Sequence, residues 1–578
     1  MKILTTSLVC FSVLGLAALA PACGASSTGG GFNNTGASSS GGSSNTGSGG
    51  GNNGQGGSGS GGGGSAPVLG GGGGSSSGGS SPVVYSDGGI ACPAGLQCNV
   101  SCSGGGTTSI SGKVYDPAMK NPLYNVAVYV PAVPLVPLPK GVPTGSEACS
   151  CGALFQSGAI TNTTTDVTGA FTLTNVPVGS QVPLVIQIGK WRRLYQINVT
   201  ACQDNAQADK SIAFLGTVPA SDTNDSIPDI AVSTGGADTL ECLMLRIGIP
   251  ASEYVAGGST SGHVHVFSGG NPSNSISGII GGGGGGGGGS PEEYPMTGAP
   301  QSSTSLWDTS DHLMPYDIVL LSCEGEETYN ANPANLESYL NAGGRAFASH
   351  FQYSWFSGPI DGTSMMTYSA PSDWGNNLAS WSADTTDDNG PAAGVIDTTL
   401  NSGSGSFSKG TTLAAWLAET GALGGAVAAG DLPIYSPRYN ASVTSTNAPS
   451  QPWITSTATS GGGKNGGGGT TSDKTMYFSF DTPVNAPLDD AGVPSYCGRA
   501  VFSDLHVSGD PSINDLGNGG TTLGGTGTPP PAGCDNTDLS PQEKALEFML
   551  FDLSSCVLPD TIAVPVDAGL PPPPQQPK

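Results

Sequence analysis

The sequence predicts a multidomain chain: a small antiparallel β-sandwich, then an α/β domain on a mainly parallel sheet, both carried on a long disordered Gly/Ser tether. Three observations predict it. Residues 24–81 hold no charged side chain and consist almost entirely of Gly, Ser, Asn and Thr. Between 107 and 215, short β-rich runs are separated by Pro, Gly, Asp and Asn, the rhythm of sandwich strands and their turns. From 222 to 557 strands alternate with helical periodicity, which argues a parallel sheet with helices on both faces.

Residues 1–22 have the layout of a signal peptide: Lys2, then an uncharged apolar run from Ile3 to Ala20, too short and too lightly flanked for a spanning helix. The run ends at Leu19-Ala20-Pro21-Ala22-Cys23, which resembles the bacterial lipobox, with Pro21 as a departure from it. The resemblance implies lipidation at Cys23, a membrane partner reached through a lipid anchor, and, with Gly24 next, sorting to the outer membrane. Ordinary cleavage of a freely secreted, extracellular protein is the alternative. Either way the chain belongs to the cell envelope or beyond it. Residues 24–81 cannot bury enough apolar surface to offset the entropy of ordering, and as a coil they reach about 40 Å on average.

The net charge is −26, yet only 10% of residues are charged, against about 25% in an average soluble domain. Trp191-Arg192-Arg193 is the single basic cluster, so a phosphate backbone would meet repulsion without counterion-release gain, and nucleic acid is excluded as a partner. Of 13 cysteines, Cys10 lies in the signal and Cys23 at its end, leaving an odd eleven. Disulfides are expected in an exported chain. The close spacing of Cys92, Cys98 and Cys102 in a Cys-rich linker, 82–106, and of Cys149 with Cys151, leaves zinc as a weaker reading. Cys323 is the expected unpaired residue, with Cys242 as its rival: it ends a buried strand and precedes Glu324-Gly325-Glu326-Glu327, whose negative charge disfavours the thiolate.

Sandwich strands are expected at Ser109 to Tyr115, Asn125 to Val130, Ala170 to Leu173 and Val182 to Gly189. Within 107–215, Ser111-Gly112-Lys113-Val114-Tyr115-Asp116 and Thr165-Asp166-Val167-Thr168-Gly169-Ala170-Phe171-Thr172-Leu173 resemble the two signature strands of carboxypeptidase regulatory-like domains. Asn175-Val176-Pro177-Val178-Gly179 matches the turn that follows in that family. The resemblance implies a transthyretin-like β-sandwich without catalysis of its own.

In 222–557, Ile227 to Ser233, Gly262 to Phe267, Tyr316 to Leu321, Arg345 to Ser349, Met476 to Phe480 and Arg499 to Val507 read as strands. Asp238 reads as the cap of a helix through Leu240, Leu243, Met244 and Ile247, and Asn335 to Leu340 as a second helix. Ser540-Pro541-Gln542-Glu543 opens a third with a capping-box start. Gly-rich inserts near 270–300 and 458–473 read as disordered loops, and 558–578 as a Pro-rich extended tail. Gly463-Lys464-Asn465 lacks the Ser/Thr and the spaced Gly of a phosphate loop.

Tyr316 to Leu321, Leu336 to Leu340 and Ala342-Gly343-Gly344-Arg345-Ala346-Phe347-Ala348-Ser349-His350 resemble the class I glutamine-amidotransferase-like fold, nearer its ThuA-like branch, in which His occupies the turn after this strand. Gly498 to Phe502 with His506 resembles the closing strand of that branch. The nucleophilic thiol that amidotransferases need on that turn is replaced by Ser349-His350, so glutaminase chemistry is not implied. Taken whole, with the blocks Ile188 to Arg193, Thr234 to Asp238 and Leu321 to Gly325, the chain resembles a bacterial family of exported carboxypeptidase regulatory-like proteins.

All five histidines fall in this half. His263 and His265, two apart on an expected strand, share a face and are the metal-ligand candidates. The crevice beyond the strand ends should gather Cys323, Glu324, His350, Gln352 and His506. His350, His506 and Glu324 are the catalytic candidates; Glu324, His350 and Gln352 are the binding candidates. No cofactor is called for, although a divalent or transition metal would suit such a set. The bland alternative is a group of satisfied polar residues at strand ends. Two functions stay open: a non-catalytic envelope lipoprotein that binds a protein or glycan partner, which is favoured, and an extracytoplasmic hydrolase or sugar-modifying enzyme using the His/carboxylate crevice.

Overall fold

The structure, a computed structural model, describes residues 92–144, 149, 155–235, 238–269, 300–361, 366–383, 391–435, 437–460, 470–490, 492–506 and 538–560. All lie in one compact unit, 79–578. The signal peptide, Cys23, the tether, 82–91 of the Cys-rich linker, Cys151, the insert 270–299, residues 461–469 and the tail beyond 560 lie outside the described residues. Among the described residues no helix is long and apolar enough to cross a membrane.

Among the described residues, seven strands precede Asp222: β1 (Ser109–Tyr115), β2 (Ala127–Pro131), β3 (Ala159–Thr164), β4 (Ala170–Thr174), β5 (Gly179–Ile188), β6 (Trp191–Val199) and β7 (Ile212–Ala213). They form one sheet of order β4-β1-β7 and another of order β3-β2-β5-β6. Alternation sets their inner faces. Ile110, Val114 and Leu173 from the first sheet bury in one cluster with Val128, Val130, Leu184 and Ile186 from the second, as period-two side chains must if one face is to leave water.

The second part is built on an eleven-stranded sheet. Its strands are β8 (Ile230–Ser233), β9 (Tyr254–Ala256), β10 (Val264–Ser268), β11 (Gln301–Ser302), β12 (Ile318–Leu321), β13 (Arg345–Ser349), β15 (Ala392–Ile396), β16 (Leu432–Ile434), β18 (Ser450–Ser460), β19 (Thr470–Thr482) and β20 (Gly498–Ser503). β14 (Ser380–Trp381) and β17 (Ala441–Ser442) pair separately. The order is β11-β10-β8-β12-β13-β20-β19-β18-β15-β16, with β9 beside β10. Strands from β11 to β20 run parallel, while β20, β19, β18, β15 and β16 pair antiparallel. The sheet is therefore mixed. The parallel half is apolar on both faces, with every residue of β8 and β12 buried.

The helices are α1 (Leu240–Arg246), α2 (Thr304–Trp307), α3 (Ser310–Leu313), α4 (Pro333–Asn341), α5 (Ser354–Ser357), α6 (Ser408–Glu419) and α7 (Pro541–Ser554). α7 starts as its sequence dictates: the Ser540 side chain accepts from Glu543 N–H, Glu543 reaches back to Ser540 N–H, and Pro541 fills the first turn. For α1, Thr239 and not Asp238 holds the N-cap position, without a side-chain cap bond; Asp238, one residue earlier, is buried. The insert expected at 458–473 also needs correction. Ser456 to Ser460 pair with Lys474 to Thr470, so the strands extend into it on both sides.

Sandwich and α/β part share one hydrophobic cluster, from Ile110 in β1 to Leu553 in α7. Trp191 packs against Phe214 and Phe551 with ring centroids 6.1 and 5.3 Å away. Lys190 pairs with Asp317, and Trp416 Nε1 donates to the Pro122 carbonyl at 2.7 Å. Gly189, at φ +55°, turns β5 into β6 where a Cβ would lie 1.8 Å from the Ser554 carbonyl; only glycine allows that approach. A disulfide from Cys149 to Cys497 crosses the same junction.

Candidate functional site

The sheet order reverses at β8, with β10 on one side and β12 on the other, so the crevice of an open parallel sheet falls beyond the C-terminal ends of these strands. Three chemistry-bearing side chains arrive there from three strand ends: Cys323 two residues after β12, His350 directly after β13, and His506 three residues after β20. Cys323 N–H donates to Ser349 Oγ at 2.9 Å, tying the first two ends together. His350 has φ +45°, a left-handed turn that a non-glycine residue adopts only when its surroundings hold it there. Gly235 lets the chain after β8 pass the same spot: a Cβ on it would lie 2.1 Å from the Cys323 carbonyl.

Cys323 Sγ lies 3.2 Å from His350 Nδ1, and His506 Nε2 lies 3.0 Å from that same nitrogen. Arg438 Nη2 approaches His506 Nδ1 at 3.1 Å. All four residues are buried. Desolvation holds both imidazoles well below their ordinary pKa, with the charges of His506 and Arg438 adding to the effect on His350 and that of Arg438 on His506. Burial, and then the Asp238 carboxylate, push the Cys323 thiol up to about 12. At neutral pH the group therefore holds two neutral imidazoles and a protonated thiol, which is no activated nucleophile. Asp504 lies beside it, its Oδ2 accepting from Ala441 N–H at 2.8 Å and its pKa held well above the carboxylate range by burial.

Arg438 offers only donors, so His506 Nδ1 must accept and His506 carries its proton on Nε2. That proton points to His350 Nδ1, which must accept in turn. His350 then carries its proton on Nε2, a buried atom without a hydrogen-bond partner. Such a group calls for an explanation.

Cys323, His350 and His506 are thus brought together as the sequence suggested, and Cys323 is the free cysteine among the described residues. The expected cause of its sluggishness changes: burial leads and Asp238, not Glu324 to Glu327, follows. Glu324 is only half-buried and rests against Gly269 after β10, outside the three-residue cluster. Gln352 is a clamp more than a ligand arm. Its Nε2 donates to the Ser322 carbonyl at 2.7 Å, and its Oε1 accepts from Thr328 Oγ1 and Trp355 Nε1 at 2.6 and 2.7 Å.

His263 and His265 do not join the cluster. His263 precedes β10, at the opposite edge of the sheet, where its Nδ1 meets Glu253 Oε2 at 2.6 Å. His265 Nε2 lies 3.6 Å from Asp229. Among the described residues the group able to hold a metal is Cys323, His350 and His506, whose donor atoms all lie within 4.8 Å of one another. Sequence reasoning missed Arg438 and the burial of Asp238; a lone Arg after a loop proline carries no signal without the fold. Cys23 lies outside the described residues.

No protein-family model matches the chain, and no curated protein matches it. Among solved structures it is similar to a type II cohesin–X-dockerin complex from Acetivibrio cellulolyticus, at 17% identity over 27% of this chain and 78% of that one, with a TM-score of 0.12. A likeness at that level carries no argument.

Proposed function

We propose that the chain is an extracytoplasmic protein of the cell envelope, anchored to a membrane through a lipid on Cys23, whose folded body binds a protein or glycan partner without turning it over. The observation that carries export is the oxidation state of the fold: Cys92, Cys98, Cys102, Cys149, Cys202, Cys242, Cys497 and Cys556 are all in disulfides, as expected only where thiols are not kept reduced. Against catalysis stand the protonated, buried thiol and the engagement of Gln352. The basic Trp191-Arg192-Arg193 cluster is spent internally, Arg192 donating to the carbonyls of Val136, Thr223 and Asn224, which supports a partner other than nucleic acid. The carboxypeptidase regulatory-like and ThuA-like resemblances belong to this proposal.

Membrane fractionation of Cys23→Ser tests the anchor. The variant should leave the membrane fraction, because it loses the only acylation site; a correctly processed variant that stays bound overturns it. The enzyme reading is favoured by one observation, the left-handed turn that aims His350 into a strand-end crevice. Release of reducing ends from envelope polysaccharide by the purified chain, lost in His350→Ala, would move the conclusion to that reading.

A further inference from the structure

We propose that Cys323, His350 and His506 form a binding site for one borderline-soft transition ion, Zn2+ or Cu2+, at the C-terminal edge of the parallel sheet. The first ground is geometric. Zinc sits about 2.0–2.1 Å from an imidazole nitrogen and about 2.3 Å from a thiolate, so tetrahedral or trigonal ligands are about 3.3–3.8 Å apart. Sγ to Nδ1 is 3.2 Å and Nδ1 to Nε2 is 3.0 Å, with all three atoms inside 4.8 Å. The two sides that meet at His350 Nδ1 have to open by a few tenths of an ångström, and the third, from Sγ to Nε2, is no longer than 4.8 Å. Its corners stand on three strand ends of one rigid sheet, which is how a site is held to metal tolerance without a contiguous motif.

The second ground is the count of protons. His350 Nδ1 has one lone pair, and two donors compete for it: His506 Nε2–H, whose tautomer Arg438 dictates, and the Cys323 thiol. One proton has no acceptor. A cation in the triangle removes the conflict, since Sγ, Nδ1 and Nε2 each point a lone pair at one acceptor. The balance closes. The thiol proton leaves to solvent, the His506 proton moves from Nε2 to Nδ1, and one proton is released per divalent ion bound. The Arg438 guanidinium must then turn from His506 Nδ1, and the carboxyl groups of Asp238 and Asp504, both within its electrostatic reach, offer it a place. Arg438 is thus a positioning residue that opposes loading. One thiolate with two imidazoles selects zinc or copper over Mg2+ or Ca2+. The site is independent of the envelope-binding function, so its failure leaves that reading standing.

The test uses the full mature chain in detergent, stripped with chelator and titrated with Zn2+ by calorimetry, with Co2+ as the spectroscopic probe. The expected result is one ion per chain, with a thiolate-to-cobalt charge-transfer band and the intense d–d absorption of a four-coordinate site. Cys323→Ser should abolish that band, His506→Gln should weaken binding at least about tenfold, and Arg438→Met should tighten it. Absence of stoichiometric uptake by the wild-type chain, or a cobalt spectrum without the sulfur band, overturns the proposal whether or not the variants fold. So does binding that Cys323→Ser leaves unchanged.

Discussion

The Sγ of Cys323 stands 3.2 Å from Nδ1 of His350, joining the end of β12 to the turn after β13 by a thiol that every other described cysteine has given up to a disulfide. Burial and Asp238 hold that thiol at about 12. At pH 8 it should react with iodoacetamide about a thousandfold more slowly in the native chain than an ordinary thiol does, since rate follows the thiolate fraction. In denatured but unreduced protein the label should fall on Cys323. Fast labelling of the native chain, or peptide mapping that finds Cys323 in a bridge, would sink this account.

Arg499 is fully buried in β20 and divides its guanidinium among Asp481 at 2.6 Å, Asp552 at 3.1 Å and Asp560 at 2.9 Å. Lys409 shares Asp552 at 3.0 Å. Removing the central cation strands buried carboxylates, and such losses cost about 3–5 kcal/mol. Arg499→Met should therefore lower the urea midpoint sharply at unchanged m. A loss under about 1 kcal/mol would mean that the neighbouring carboxylates find other partners.

Local rules made part of this fold legible and topology kept the rest hidden. β1 and β13 fall where their β-rich runs between turn residues place them, and α7 begins at its capping box. The antiparallel half did not announce itself. β18 and the first half of β19 are Ser/Thr-rich arms flanking a Gly run, without the alternation that marks a half-buried strand. At the site, His350 and His506 were legible because each follows a strongly apolar strand. His263 and His265 meet separate carboxylates, Glu253 and Asp229, and His263 stops short of the strand that carries His265. Arg438 reaches His506 across 68 residues, a distance that no periodicity encodes.

The Cys149–Cys497 bridge closes 348 residues and ties the sandwich insert to the start of β20. Cross-links over long loops restrict the unfolded chain most, and losing a native one costs about 2–5 kcal/mol. Replacing both cysteines by serine should lower stability in that range, whereas the same change at Cys92 and Cys98, six residues apart, should cost less. Equal losses in guanidinium titrations of the two double variants would contradict the loop argument.

Asp116 after β1 and Glu547 in α7 bring two buried carboxyl groups to the junction of sandwich and sheet. Asp116 accepts the backbone N–H groups of Lys120 and Asn121 at 2.7 and 3.2 Å, while Glu547 Oε2 accepts from Asn121 Nδ2 at 2.7 Å. Desolvation raises both: Asp116 to about 6, and Glu547 well above 4.5, where the Asp116 charge adds to the effect of burial. The folded chain thus keeps protons that the unfolded chain releases near pH 4. Stability from this pair is complete below that pH and is lost as pH rises from there through the folded values, the Asp116 share being gone above about 6 and the Glu547 share continuing to fall beyond it. Glu547→Gln keeps an acceptor for Asn121 and removes the charge. The stability difference between wild type and variant should therefore shift in favour of the variant between pH 5 and pH 8, by at most about 1.4 kcal/mol per pH unit for each proton. Denaturant curves collected across that range decide it: parallel pH profiles for the two proteins would mean that Glu547 is ionised in the fold, and that its pairing with Asp116 is not what the burial of both requires.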